Sequence, residues 1–165
     1  MRARFWISLM VIAAVLPLAS TSFGQGSADA AKAMLARAVA AVKADKAKAL
    51  DTFNKGEGGF RDGDLYVFCV TASDGKFVAT GNPNSKKLLG VDVKTLKDRN
   101  GDPIDLGEAT QKPEGEISTI NYQFTKPGTI NKEVPKETYI TKIGDLICGV
   151  GYYYFTDLER SNDLN

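Results

Sequence analysis

The sequence predicts an α+β domain: one long N-terminal helix packed on a five-stranded antiparallel sheet. Three observations carry that reading. An early run rich in alanine, lysine and leucine repeats its apolar residues every three or four positions. Five later segments are rich in β-branched and aromatic residues. Their order is one helix, two strands, a helical insertion and three strands, which suits an antiparallel sheet covered by helices.

The chain opens on a segment that belongs outside that domain. Met1-Arg2-Ala3-Arg4 is a positive n-region, and Phe5 to Ala19 is a 15-residue apolar run followed by small residues. This is the pattern of a signal peptide over residues 1–24, with Ser22 and Gly24 at the −3 and −1 positions of a cleavage site. A membrane span needs about 20 apolar residues, and this run is shorter and holds Pro17. No cysteine near the cleavage region offers a lipid anchor. The expected location is therefore the periplasm, or outside the cell.

The helix is expected over Ser27–Asn54, with Leu35, Val39, Val42, Lys46, Ala49 and Phe53 on one face. Ser27 or Asp29 caps its start, and Gly56, Gly58 and Gly59 end it. The stripe is too short and alanine-rich for a coiled coil, so it is read as packing against the sheet. Asp64–Thr71 and Phe77–Gly81 form a hairpin around "ASDGK". A turn-rich stretch follows, with short helical turns expected at Val91–Lys97 and Ile104–Lys112. Gly115–Phe124, Val134–Ile143 and Gly144–Phe155 are the last three strands, and residues 158–165 form a polar tail.

Composition excludes several functions. Losing residues 1–24 removes Arg2 and Arg4 and no acid, leaving 19 basic against 20 acidic residues. Such a balance does not suit nucleic acid or an anionic membrane surface. The chain has no histidine, which rules out Ser-His-Asp and Cys-His nucleophiles and histidine-bearing zinc sites. "DRNGD" spaces Asp98, Asn100 and Asp102 like an EF-hand loop, but Pro103 and Ala109 stand where that loop needs Gly and Glu. A turn closed by Asn100-Gly101 is the better reading. Cys69 and Cys148 each lie mid-strand. One disulfide and two buried thiols both remain open on spacing alone.

The motifs, taken in order, resemble the single Cache domain, type 2, an extracytoplasmic sensor module related to Per-Arnt-Sim domains. "GDLYVFCV" looks like that family's first strand and "DGKFVATGNP" its hairpin. "LLGVDVKTLKDRNGD" is similar to its segment ending Lys-Asp-x-x-Gly. "INYQFTKPGTINKEVPKETYI" resembles its third and fourth strands, and "GDLICGVGYY" its closing Gly-x-Gly-x-Tyr strand. The likeness spans roughly residues 30–155, within a domain taken as 27–157. Phe124 stands where the family usually has tryptophan, and "PIDLGEATQKPEG" shortens a helix. Many members carry a transmembrane helix and a signalling output; this chain looks like a stand-alone secreted form.

The resemblance implies a Per-Arnt-Sim/profilin-like fold with the five strands in the order 2-1-5-4-3. It sets Cys69 and Cys148 on neighbouring strands, where a disulfide is expected. It implies a ligand site at Tyr122, Phe124, Lys126 and Tyr139, with Tyr66, Phe68 and Asn82 as wall and lip. Lys126 would neutralise a small carboxylate and the tyrosine hydroxyls would orient it. Gly149 and Gly151 would let a covering helix or a ligand approach the backbone. Alternation sends Tyr152 and Tyr154 to one face and Tyr153 to the other, as core or rim residues with partnered hydroxyls. The implied function is non-enzymatic binding and sensing of a short organic acid such as lactate, pyruvate or acetate. No cofactor or metal is expected; the partners would be a membrane sensor protein or a second copy of the chain. The alternative is an interaction module that dimerises through its N-terminal helix and takes no small ligand.

Overall fold

The computed structural model describes residues 26–129 and 133–154. The expected signal peptide and the polar tail lie outside the described residues. Ser27 caps helix α1 (Ala28–Ala44) by accepting from Ala30 N at 3.2 Å. The buried face of α1 is Ala31, Met34, Leu35, Ala38 and Val42. The single helix expected over Ser27–Asn54 is in fact two, broken at Asp45. That residue is extended (φ −158°, ψ 98°), and its carboxylate accepts from Lys48 N to start helix α2 (Lys46–Lys55). Aspartate competes with helix by such local bonds, so the break occurs where its side chain can cap the next turn. Ala49 and Phe53 stay buried, whereas Lys46 of the expected stripe is exposed and pairs with Asp145 at 2.9 Å. Gly56 closes α2 in the left-handed region at φ 68°.

The strands are β1 (Arg61–Asp62), β2 (Leu65–Thr71), β3 (Phe77–Thr80), β4 (Ile117–Thr125), β5 (Glu133–Ile143) and β6 (Leu146–Tyr153). All the pairings are antiparallel. The five expected strands run β3-β2-β6-β5-β4, the order 2-1-5-4-3. A sixth, β1, adds to the edge of β2 that β3 also occupies. Two residues are too few to show a period, which is why β1 was not expected. Cys69 stands opposite Cys148 in the β2–β6 register, and the two form a disulfide with Cα atoms 4.1 Å apart.

Both faces of the sheet are covered. Helices α1 and α2 cover one face, packing on Leu65, Val67, Cys69, Cys148 and Val150. The opposite face carries Tyr66, Phe68, Val70, Ile147 and Tyr153. It lies under the long connection between β3 and β4, which holds 3₁₀ turns at Pro83–Leu88 and Val93–Thr95 and helix α3 (Gly107–Gln111). Alternation along each strand assigns side chains to the two layers, and burial on both sides explains why β2 and β6 read as continuous apolar runs.

Candidate functional site

The site is built on the face away from the helices. Lys136 lies within β5, directly opposite Tyr122 on β4 and Tyr153 on β6. Cross-strand neighbours share a face, so the lysine enters the sheet between two aromatic residues. It is 1% exposed. Its Nζ donates to the Tyr66 hydroxyl at 2.8 Å. Five ring centroids surround it: Tyr66 at 4.1 Å, Tyr153 at 5.1 Å, Phe124 at 5.6 Å, Phe68 at 5.7 Å and Tyr122 at 5.8 Å. No carboxylate forms an ion pair with it among the described residues.

The hydroxyls beside the ammonium have a definite polarity. Tyr153 donates to Thr125 O at 2.9 Å, so across the 3.1 Å contact between the two phenols Tyr66 is the donor. Both phenols are thereby committed. Tyr122 accepts from Thr138 Oγ1 at 3.2 Å, which leaves its own proton for another acceptor. Burial works against the Lys136 ammonium, but the oxygens of Tyr122 and Tyr66 outweigh it and its pKa lies above the ordinary lysine value. Burial pushes the Tyr122 and Tyr153 phenols upward, which keeps both neutral. The box is therefore cationic, with neutral hydroxyls around the charge.

The two glycines of β6 make room for this box. A Cβ on Gly151 would stand 2.2 Å from Thr138 Oγ1 and 2.6 Å from Lys136 Cε. One on Gly149 would stand 2.7 Å from Phe68 Cζ. The close approach expected at these glycines is made by the lysine stem and by Phe68.

Two cavities adjoin the box. An inner cavity of about 20 Å³ has Tyr66, Phe68, Tyr122 and Phe124 in its wall, with Val93, Ile104 and Leu106 from the covering connection. An outer cleft of about 420 Å³ opens beyond it, and Ser85, Leu88 and Phe124 border both.

The residues named from sequence divide between the two faces. Tyr66, Phe68, Tyr122 and Phe124 come together around Lys136 and the inner cavity. Asn82 is fully buried and lines neither cavity; its Oδ1 accepts from Asn84 N at 3.0 Å, and its Nδ2 has no hydrogen-bond partner. Tyr139 is not part of this site. It has the opposite parity to Lys136 on β5, so it packs in the helix-side core and donates to Glu137, with Lys32 Nζ 4.6 Å from its ring centroid. Tyr152 also donates to Glu137, at 3.2 Å, while Tyr153 points to the site face, as alternation requires. Lys126 walls neither cavity. It pairs at 3.2 Å with Asp64, a buried residue whose Oδ1 accepts from Gly26 N at 2.8 Å.

Sequence reasoning missed Lys136 and placed Tyr153 outside the pocket. The signal for both was parity: Lys136 alternates with the buried Val134, Thr138 and Ile140, a pattern in which a solvated lysine has no place. Asp98 behaves as the turn reading expected, accepting from Asn100 N and Asp102 N.

No family model matches the chain, and no curated protein matches it. Solved structures do. A methyl-accepting chemotaxis protein from Vibrio parahaemolyticus superposes with a TM-score of 0.58 and 26% identity, over 76% of this chain and 86% of that one. A periplasmic sensor domain of a chemotaxis protein gives 0.56 and 20%, covering 77% and 90%. A Cache chemosensory domain, solved to explain its recognition of carboxylic acids, gives 0.55 and 22%, covering 77% and 88%. The fold is thus the PAS-like α+β fold of periplasmic sensor domains. The neighbours are Cache and chemotaxis sensor domains, consistent with a single Cache-domain sensor, as the order of motifs implied.

Proposed function

We propose that this chain is an extracytoplasmic, non-enzymatic domain that binds and senses a short organic acid, and that Lys136 holds the acid's carboxylate. The observation that carries this is a buried ammonium with five aromatic faces and no carboxylate partner among the described residues. A charge taken out of water is costly unless it is paired. Ring faces and one phenol oxygen replace part of the lost hydration. A ligand carboxylate supplies the rest, with Tyr122 free to donate to it. Tyr66, Phe68, Tyr122 and Phe124 wall the site. The carboxylic acid recognised by one structural neighbour supports the same ligand class.

Ligand binding would shift the population of a pre-existing state, read by a membrane sensor protein or a second copy of this chain. The n- and h-region pattern of residues 1–24 supports export, and no helix among the described residues is long and apolar enough to cross a membrane. Mass spectrometry of protein from its native host should find the N-terminus near Gln25; a retained leader would contradict export.

Thermal unfolding with and without short organic acids tests the binding function. An acid at a hundred times its Kd should add about 2.7 kcal/mol of stability. Lys136→Met should remain folded and lose that response. An equal response in parent and variant would remove Lys136 from the site.

A further inference from the structure

We infer that the free edge of the sheet, along residues 117–121 of β4, is a self-association surface that pairs antiparallel with the same stretch of a second copy of the chain. This does not depend on the ligand reading above. β4 is the last strand in the order and bonds to β5 alone. In an antiparallel ladder alternate residues turn their N–H and C=O toward the neighbour, and those between turn them away. Gln123 is of the second kind, because its N–H reaches Asp98 Oδ2 outside the sheet at 3.4 Å. Ile117, Thr119 and Asn121 share its parity, and all three are exposed. Among the described residues, nothing bonds the outward main-chain groups of Thr119 and Asn121, and Ile117 O takes only a 3.5 Å contact from Lys112 Nζ.

Proteins usually guard such edges with charge, proline, a bulge or brevity. The opposite edge follows that rule: β3 has four residues, and Leu89 and Asp92 of the next connection bridge to Phe77 and Lys76. On β4 the Asp98 turn guards the end at Gln123, and residues 117–121 have none of these devices. The strand keeps one register with β5 over its nine residues and holds neither a charged residue nor a proline. Ile117 stands 44% exposed on it. A second copy fits this edge because the open stretch is its own complement. A two-fold axis at Thr119 sets Thr119 against its mate and Ile117 against Asn121, so each outward donor of one copy meets an outward acceptor of the other. No charge faces a like charge across the seam. Gly115 then falls opposite Gln123 of the other copy. The chain turns there at φ 87° with open space around it, so the Asp98 turn meets no side chain. A seam this short makes a small interface, so association should be weak and depend on concentration.

Sedimentation velocity on the exported chain, from Gln25 onward, at micromolar to near-millimolar concentrations decides the matter. The parent should pass from monomer to dimer as concentration rises. Thr119→Lys sets like charges opposite each other at the axis and should abolish the dimer while the circular dichroism stays that of the parent. Thr119→Pro removes only an outward N–H, so the bonds to β5 survive, and it should do the same. Thr119→Cys should cross-link to its mate with a mild oxidant, since directly opposed residues of this kind lie about 5.5 Å apart at Cα. Ala40→Cys, on the exposed face of α1, should not. A parent that stays monomeric throughout would overturn the inference and leave the edge to a strand of another kind. So would a dimer that persists in Thr119→Lys, or one that cross-links through Ala40→Cys, which would put the contact on the helix layer. If Thr119→Pro fails to fold, Thr119→Lys at the same exposed position decides.

Discussion

A lysine inside a protein keeps its charge only where other groups replace the water around its ammonium. At Lys136 those groups are five rings and a phenol oxygen. Its pKa is raised above the ordinary 10.5, burial being outweighed by the oxygens of Tyr122 and Tyr66. The sign then follows. A group whose folded pKa exceeds its unfolded one contributes fully below the unfolded value and loses that contribution as pH rises through the folded value. Affinity for a carboxylate should accordingly stay flat from about pH 6 to 9 and fall only above the ordinary lysine range. Calorimetry across that range checks it, and a fall between pH 7 and 9 would mean that burial has won. Lys126 has a different task. Lys126→Ala would strip an ion pair from the buried Asp64 and should cost about 1–3 kcal/mol in denaturant unfolding while leaving carboxylate affinity unchanged. This reverses what position in the motif suggests. A lysine after a strand and one within it look alike in composition, and only parity and register separate them.

At the scale of elements, the helix layer shows where periodicity misleads. The apolar stripe continues from Val42 to Ala49, so the pattern runs through Asp45 as if the helix did. The chain instead turns there, because the Asp45 carboxylate caps Lys48 N. Asp45→Ala should cost roughly 0.5–2 kcal/mol, measured by thermal unfolding; no loss would mean that backbone bonds alone hold the junction. The closing strand is more legible. Its parity, its glycines and its tyrosines all carried usable information, and the structure adds that Gly151 clears space for Lys136 and Thr138. Gly151→Ala should therefore destabilise the fold by about 1–3 kcal/mol and weaken acid binding as well, since the displaced atoms include Lys136 Cε. A loss of stability with intact affinity would show that the box repacks around the added methyl. The covering connection was hardest to read. Its 3₁₀ turn at Pro83–Leu88 has no long period, and its role in walling the cavity follows from tertiary packing.

At the scale of the molecule, the order of strands came from the succession of motifs, whereas the burial of Lys136 among the rings needed the register between β4, β5 and β6. The disulfide joins the two kinds of information. Cys69 and Cys148 are 79 residues apart in sequence and opposed in the central pair of strands. Closing a loop of that length should stabilise the fold by about 4–5 kcal/mol in the chain-entropy model. Comparison of oxidised and reduced protein in denaturant measures this. The sheet also divides the work: the helix face is a core stapled by the disulfide, while the other face surrounds a cation. The most direct test of that division is a crystal structure of the chain with acetate bound. A carboxylate oxygen should lie about 2.7–2.9 Å from Lys136 Nζ. A carboxylate held by Lys126, or by lysines of the outer cleft while Lys136 keeps its bond to Tyr66, would contradict it.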